Sequence, residues 1–166
     1  MNDNLGKDAE KKIHEWLDHP EDGKCFDRIP DQMTGFYGSR NICDFTFFQS
    51  PYYWYIESKA TWEDRFDFSM ISDYQWDNML KKSKIKDVFA VVIVLFASYK
   101  RAFLFHISDI DEAYRAGTKS LNIKKIDKWK VPYKEIQTLF NNRKKLPDYT
   151  GELLDYTLDT NATGGT

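Results

Sequence analysis

Ile42-Cys43-Asp44-Phe45-Thr46-Phe47-Phe48, the turn Gln49-Ser50-Pro51, and the run Tyr53-Trp54-Tyr55-Ile56-Glu57-Ser58-Lys59-Ala60-Thr61 decide the fold. Two aromatic and β-branched runs around a short Pro-containing turn read as a β-hairpin. Three charged residues interrupt this apolar ribbon. In a strand, residues i and i+2 share a face, so Glu57 and Lys59 project together. Antiparallel pairing lays the start of the first strand beside the end of the second, which brings Asp44 to them. Two carboxylates and an amine converge on one spot.

Before the hairpin, residues 6 to 17 or 18 predict a helix capped by Asn4 or Asp8. Ala9, Ile13, Trp16 and Leu17 form its buried stripe. His19-Pro20-Glu21-Asp22-Gly23 ends it. Residues 25–29 are a short strand, and residues 32–41 an irregular loop.

After the hairpin, residues 62–72 read as a loop carrying Trp62, Phe66 and Phe68, aromatics expected in the core. A second helix over 74–84 is capped by Ser72 or Asp73 and has Gln75 in its first turn. Residues 88–96 are wholly apolar, so this strand should be central and covered on both faces. A strand at 102–107 follows, then a short helix capped by Asp109 and ended by Gly117. Residues 118–131 are basic and weakly patterned. Pro132 begins a last helix with Ile136, Leu139 and Phe140 inward and Lys134, Arg143, Lys144 and Lys145 outward.

This order predicts an α/β fold with a mixed central β-sheet flanked by helices. Residues 1–146 are expected to form one domain, with a core over about 5–107 and a basic helical extension over 108–146. Residues 147–166 are expected to be an acidic, mobile tail.

A chain of 166 residues can bury a core without staples. Its 42% hydrophobic and 30% charged content is that of a soluble globular protein. No run reaches the ~18 apolar residues that would span a bilayer, so no membrane partner is expected. Cys25 and Cys43 make no disulfide framework, and reduced thiols in a cytoplasmic protein are the expectation. No C-x-x-C pair, P-loop, Rossmann glycine pattern or nucleophile elbow appears. The net charge of −2 hides an uneven distribution. Residues 1–99 carry 12 basic and 17 acidic side chains, residues 100–145 carry 12 and 5, and residues 146–166 carry none and 4. The basic segment is either a set of solvated faces or a phosphate-contacting surface.

Close carboxylates repel and raise each other's pKa unless a cation lies between them. Hard divalent cations take oxygen ligands. Asp44 and Glu57, with the backbone carbonyl after Glu57, make a half-shell for Mg²⁺ that leaves positions for water and phosphate. Such an ion polarises a phosphoryl oxygen and lowers the pKa of bound water. Lys59 faces that water, to orient it or to stabilise charge developing on the phosphate. These are the parts for hydrolysing a phosphodiester. Each residue taken singly reads as a member of a surface ion pair, and only the three together point to catalysis.

Asp44, twelve residues, and then Glu57-Ser58-Lys59 resembles the D-x(n)-E-x-K signature of the PD-(D/E)xK nuclease superfamily. The element order resembles that superfamily's restriction-endonuclease-like αβββαβ core. Gly6-x-x-x-Glu10, Arg28-Ile29-Pro30-Asp31, Cys43-Asp44-Phe45, Ile56-Glu57-Ser58-Lys59-Ala60-Thr61 and Gln75 resemble, in order, the RecU-type Holliday junction resolvases and their phage-encoded relatives. The resemblance implies Asp44 and Glu57 as metal ligands, Lys59 as the water-orienting amine, and Glu10 as an accessory acid for a second metal or for structure. It implies Gln75 as the residue holding the water or the scissile phosphate. Arg28, Arg40, Thr61, Lys81 and Lys82 complete the expected DNA-contacting set. It further implies Mg²⁺ (with Mn²⁺ able to substitute), branched DNA as substrate, a homodimer, and action in the cytoplasm, that of a host if the chain is phage-encoded. RecU proteins carry a longer insertion here, a stalk entering the junction centre, where this chain has only residues 31–42. The alternatives are a related nuclease with another DNA target (a flap, a mismatch or a restriction-type duplex site) and a non-catalytic DNA-binding module.

Overall fold

The computed structural model describes residues 3–18, 23–30, 40–140 and 153. Strands β1 (Lys24–Arg28), β2 (Phe45–Gln49), β3 (Tyr52–Thr61), β5 (Val88–Phe96), β6 (Arg101–His106) and β8 (Lys134–Glu135) form one sheet in the order β1-β2-β3-β5-β6-β8. Strands β4 (Arg65–Asp67) and β7 (Ser120–Asn122) pair separately. Three helices, α1 (Asp3–Leu17), α2 (Asp73–Lys82) and α3 (Ile107–Arg115), cover the large sheet. This is the expected mixed sheet flanked by helices. Among the described residues only β3 and β5 run parallel, because α2 provides the crossover that parallel neighbours require.

The hairpin forms as its sequence predicts. Strands β2 and β3 pair antiparallel with Phe45 opposite Ile56 and Gln49 opposite Tyr52. Ser50-Pro51, a cis peptide, joins them. Phe45, Phe47, Trp54 and Ile56 face α1 and pack with its Ala9, Ile13, Trp16 and Leu17. The alternate residues, Asp44, Thr46, Tyr55, Glu57 and Lys59, therefore face the opposite side. Strand β5 is central, and every residue in it except Val88 is buried. Its odd-numbered residues Val91, Ile93 and Leu95 join the α1 side, and Ala90, Val92 and Val94 join the α2 and α3 side.

Several local expectations are corrected. Helix α1 begins at Asp3, so Asn4 and Asp8 lie inside it rather than at its cap. The stretch 62–72 is not a plain loop: β4 pairs with β7, and Phe68–Met70 forms a 3₁₀ turn. Phe66 and Phe68 are fully buried there, while Trp62 is 54% exposed. Helix α2 ends at Lys82, and its cap is Ser72, with Gln75 closing a capping box. Helix α3 starts at Ile107, so Asp109 sits in its first turn. Gly117 ends that helix region at φ 101°, which a residue with a side chain rarely adopts.

No long helix follows Pro132 within the described residues. β8 instead completes the sheet beside β6, with Leu104 opposite Lys134, and Gln137–Phe140 is a 3₁₀ turn. Ile136 and Leu139 are buried as expected. Arg143, Lys144 and Lys145 lie outside the described residues, as does the irregular loop expected over 32–41 except for Arg40 and Asn41. Leu153 falls in the stretch expected to be a mobile tail, yet it is fully buried in the α1-side core. Both cysteines are free, Cys25 exposed and Cys43 buried. Among the described residues no helix is long and apolar enough to cross a membrane.

Candidate active site

The hairpin register assembles the site. Asp44 lies one residue before β2, and its backbone N–H donates to the Ile56 carbonyl at 3.1 Å. Its side chain then accepts the backbone N–H of Ser58 at 2.8 Å. That bond fixes the Asp44 carboxylate beside the residue that follows Glu57. Glu57 is 1% exposed. Lys59, on the same face, forms an ion pair with Glu57 Oε1. Its side chain is 17% exposed, so the ammonium reaches the surface of the site while the carboxylate lies beneath.

Burial pushes the Glu57 carboxyl up to about 7, and the negative charge of Asp44 pushes in the same direction. Lys59 opposes both, through its charge and its hydrogen bond, and Gln75 opposes them by hydrogen bonding. Gln75 reaches Glu57 from the first turn of α2. Its amide oxygen is already engaged, accepting from the Ser72 backbone N–H at 3.2 Å and the Ser72 hydroxyl at 3.1 Å. The amide nitrogen is thereby turned toward the carboxylate. The contact falls short of full hydrogen-bond geometry, and Oε2 of Glu57 is buried without a partner.

An orphaned buried carboxylate oxygen is costly unless something pairs with it. The Asp44 carboxylate lies near enough for its charge to act on Glu57, and the two together are a donor set of hard oxygens that fits a divalent cation of the Mg²⁺ class. The neighbouring thiol of Cys43 does not belong to this set. Burial pushes it up to about 12, with the charges of Glu57 and Asp44 adding to the shift, so it stays protonated and donates to the Phe45 carbonyl at 3.1 Å.

Thus Asp44, Glu57, Lys59 and Gln75 come together. Glu10 does not join them. It sits on α1, against the other face of the sheet, where its Oε2 accepts from Arg28 Nη2 at 2.7 Å and Nε at 3.1 Å. Among the described residues no group of three His, Cys, Asp or Glu side chains is placed to hold a metal. Arg28, expected at DNA, is engaged by Glu10 on the α1 face for the same reason of strand parity. Thr61 is only 8% exposed, and its hydroxyl accepts the Glu63 backbone N–H at 3.0 Å. Arg40 and Lys81 are exposed. Lys82 lies over the Tyr55 ring, 5.5 Å from its centroid. Two neighbours of the cluster escaped the sequence reading: the Ser58 backbone N–H, which no side-chain pattern signals, and Tyr55, which the i, i+2 rule places on the face of Glu57.

The structure of the Holliday junction resolvase Hjc from the archaeal hyperthermophile Archaeoglobus fulgidus is similar at 14% identity and a TM-score of 0.46, covering 81% of this chain and 91% of that one. No curated protein sequence matches the chain significantly. The family model Recombination protein U matches residues 27–151, which include Asp44, Glu57, Lys59 and Gln75 but not Glu10. The chain belongs to the Recombination protein U (RecU) family of Holliday junction resolvases.

Proposed function

We propose that this resolvase cuts four-way DNA junctions in a divalent-metal-dependent reaction at the Asp44–Glu57–Lys59 cluster. Mg²⁺ is the working ion, and Mn²⁺ can replace it. The observation that carries the reading is the buried, unpartnered Oε2 of Glu57 beside the Asp44 carboxylate. Asp44 and Glu57 would hold the ion, which when bound supplies Lewis-acid polarisation and a more acidic water. Ser58 keeps Asp44 aimed at the ion position through its backbone N–H. Gln75 and Lys59 offset part of the burial that disfavours the Glu57 charge. The Lys59 ammonium, nearer the surface, orients the attacking water and stabilises the charge that grows on the phosphate.

A four-way junction has two-fold symmetry, and paired cuts need two copies of the site. A C₂ homodimer supplies them. The enzyme acts on DNA in the cytoplasm, with residues 1–146 as the catalytic domain.

The test is cleavage of synthetic four-way junctions by purified protein in Mg²⁺ and in Mn²⁺, in competition with flaps and linear duplex. Paired, symmetry-related nicks in the junction are expected. Asp44→Asn and Lys59→Ala should bind the junction without cutting it. If both variants cut as well as the parent, the catalytic assignment is wrong. Preferred cutting of flap or duplex would move the chain to another nuclease specificity.

A further inference from the structure

Strand β3 turns Tyr53, Tyr55, Glu57 and Lys59 to one face. Thr46 lies directly opposite Tyr55 in the register, so Thr46 and Tyr55 form the row next to Asp44 and Glu57. On this side α2 and α3 cover β5 and β6, with Met79, Ile110, Ala90, Val92 and Phe103 in one apolar cluster. Among the described residues they leave Thr46, Tyr53 and Tyr55 only half-buried and Phe48 38% exposed. An open strip of sheet therefore leads away from the carboxylates.

Helix α2 spans two rows of that strip. Gln75 at its start neighbours Glu57, and Lys82 at its end sits over Tyr55. A lysine at a helix C-terminus ordinarily complements the macrodipole. The exposed Lys81 next door does this in water. Lys82 is instead turned onto an aromatic ring on the catalytic face, and no carboxylate among the described residues pairs with it.

We infer that Lys82 and Tyr55 form a subsite for the DNA phosphate next to the scissile one on the cut strand. The inference rests on the nuclease reading above. The step from Glu57 to Tyr55 is two strand residues, about 7 Å, comparable to one nucleotide of extended backbone. An ammonium is a compact charge suited to a single phosphate. The Tyr55 ring steadies it by cation–π attraction, and the Tyr55 hydroxyl supplies a second donor. The far end of the same row carries a negative charge. Asp27, opposite Thr46 in β1, is an exposed carboxylate accepting from the Cys25 thiol at 3.2 Å. A carboxylate there disfavours phosphate relative to the Tyr55 end.

The experiment combines Lys82 variants of the full chain with four-way junctions carrying one neutral methylphosphonate at successive positions beside the cut. Binding is read by anisotropy in EDTA, and cleavage by single turnover at saturating protein. Lys82→Ala should weaken binding of the unmodified junction about tenfold, with Lys82→Arg restoring most of it and Tyr55→Phe intermediate. At one flanking position the methylphosphonate should weaken wild-type binding about tenfold and add nothing further in Lys82→Ala. Equal melting temperatures show that the variants fold. If Lys82→Ala binds like wild type, or the two losses multiply at every position, the subsite falls while junction cleavage by wild type still stands. If wild type cuts no junction in either ion, the nuclease reading falls and takes the subsite with it.

Discussion

The Ser58 backbone N–H donates to Asp44 Oδ2 across the β2–β3 hairpin at 2.8 Å. One bond therefore does two jobs. It locks the register of the hairpin end, and it aims half of the carboxylate pair.

Asp44→Asn separates these jobs. The amide oxygen can still accept from Ser58, while the charge that raises Glu57 disappears. Thermal stability should be unchanged or slightly higher. Junction cleavage should fall at least about a hundredfold, as expected when an ion-holding charge is removed. Differential scanning calorimetry and single-turnover cleavage on the same preparation check both halves.

Glu57 should give the metal-free protein a pH signature. Its folded pKa of about 7 lies above the ordinary 4.5, so between these values the native state holds more protons than the unfolded one. Stability from this group is then present below about pH 4.5 and is lost as pH rises through 7, by up to about 3 kcal/mol. Asp109, raised to about 6 by burial and by Glu112, adds a slope of the same sign. The difference between wild type and Glu57→Gln isolates Glu57, and denaturant midpoints from pH 4 to 8 measure it. Divalent-ion affinity should run the other way, rising as the proton leaves. A flat difference curve would remove the burial argument.

Ser72→Ala and Gln75→Ala break the same capping box. Each should cost roughly 1 kcal/mol of stability. Gln75→Ala alone also removes the amide that faces Glu57. Only that variant should shift the pH dependence of ion binding upward and slow cleavage. Identical behaviour of the two variants in a calorimetric metal titration would reduce Gln75 to a helix cap.

Leu153→Ala should cost about 2–5 kcal/mol, since Leu153 is fully buried against the α1-side core and truncation leaves a cavity. Ile85→Ala, at a 51% exposed position, should fall within about 0.5 kcal/mol of wild type. Urea melts of the two distinguish a pinned C-terminal stretch from a loose one.

The hairpin was legible because its information is local. Alternation in Tyr53 to Thr61 places Glu57 and Lys59 together, and a two-residue turn sets the register that brings Asp44 to them. The apolar run Val88–Phe96 likewise announced a central strand. Two other segments were misread because their partners are remote. Arg65–Asp67 becomes a strand only by pairing with Ser120–Asn122. Lys134–Glu135 becomes one because the free edge of β6 takes it up, with the Ile136 N–H donating to the Ala102 carbonyl at 2.9 Å. The helical spacing of Ile136, Leu139 and Phe140 is equally served by a single 3₁₀ turn. The position of Glu10 was opaque for a third reason. Its helix could pack on either face of the sheet, and only the apolar parity of Phe45, Phe47, Trp54 and Ile56 chooses the face away from Glu57.

Among the described residues β3 and β5 make the only parallel pairing, and it divides the site between contacts of different reach. Asp44, Ser58, Glu57 and Lys59 meet through a short-range hairpin, whereas Gln75 and the wall formed by β5 depend on the long connection through α2. A change confined to that crossover should therefore loosen Gln75 and the cover over Glu57 while leaving the Asp44–Ser58 bond in place.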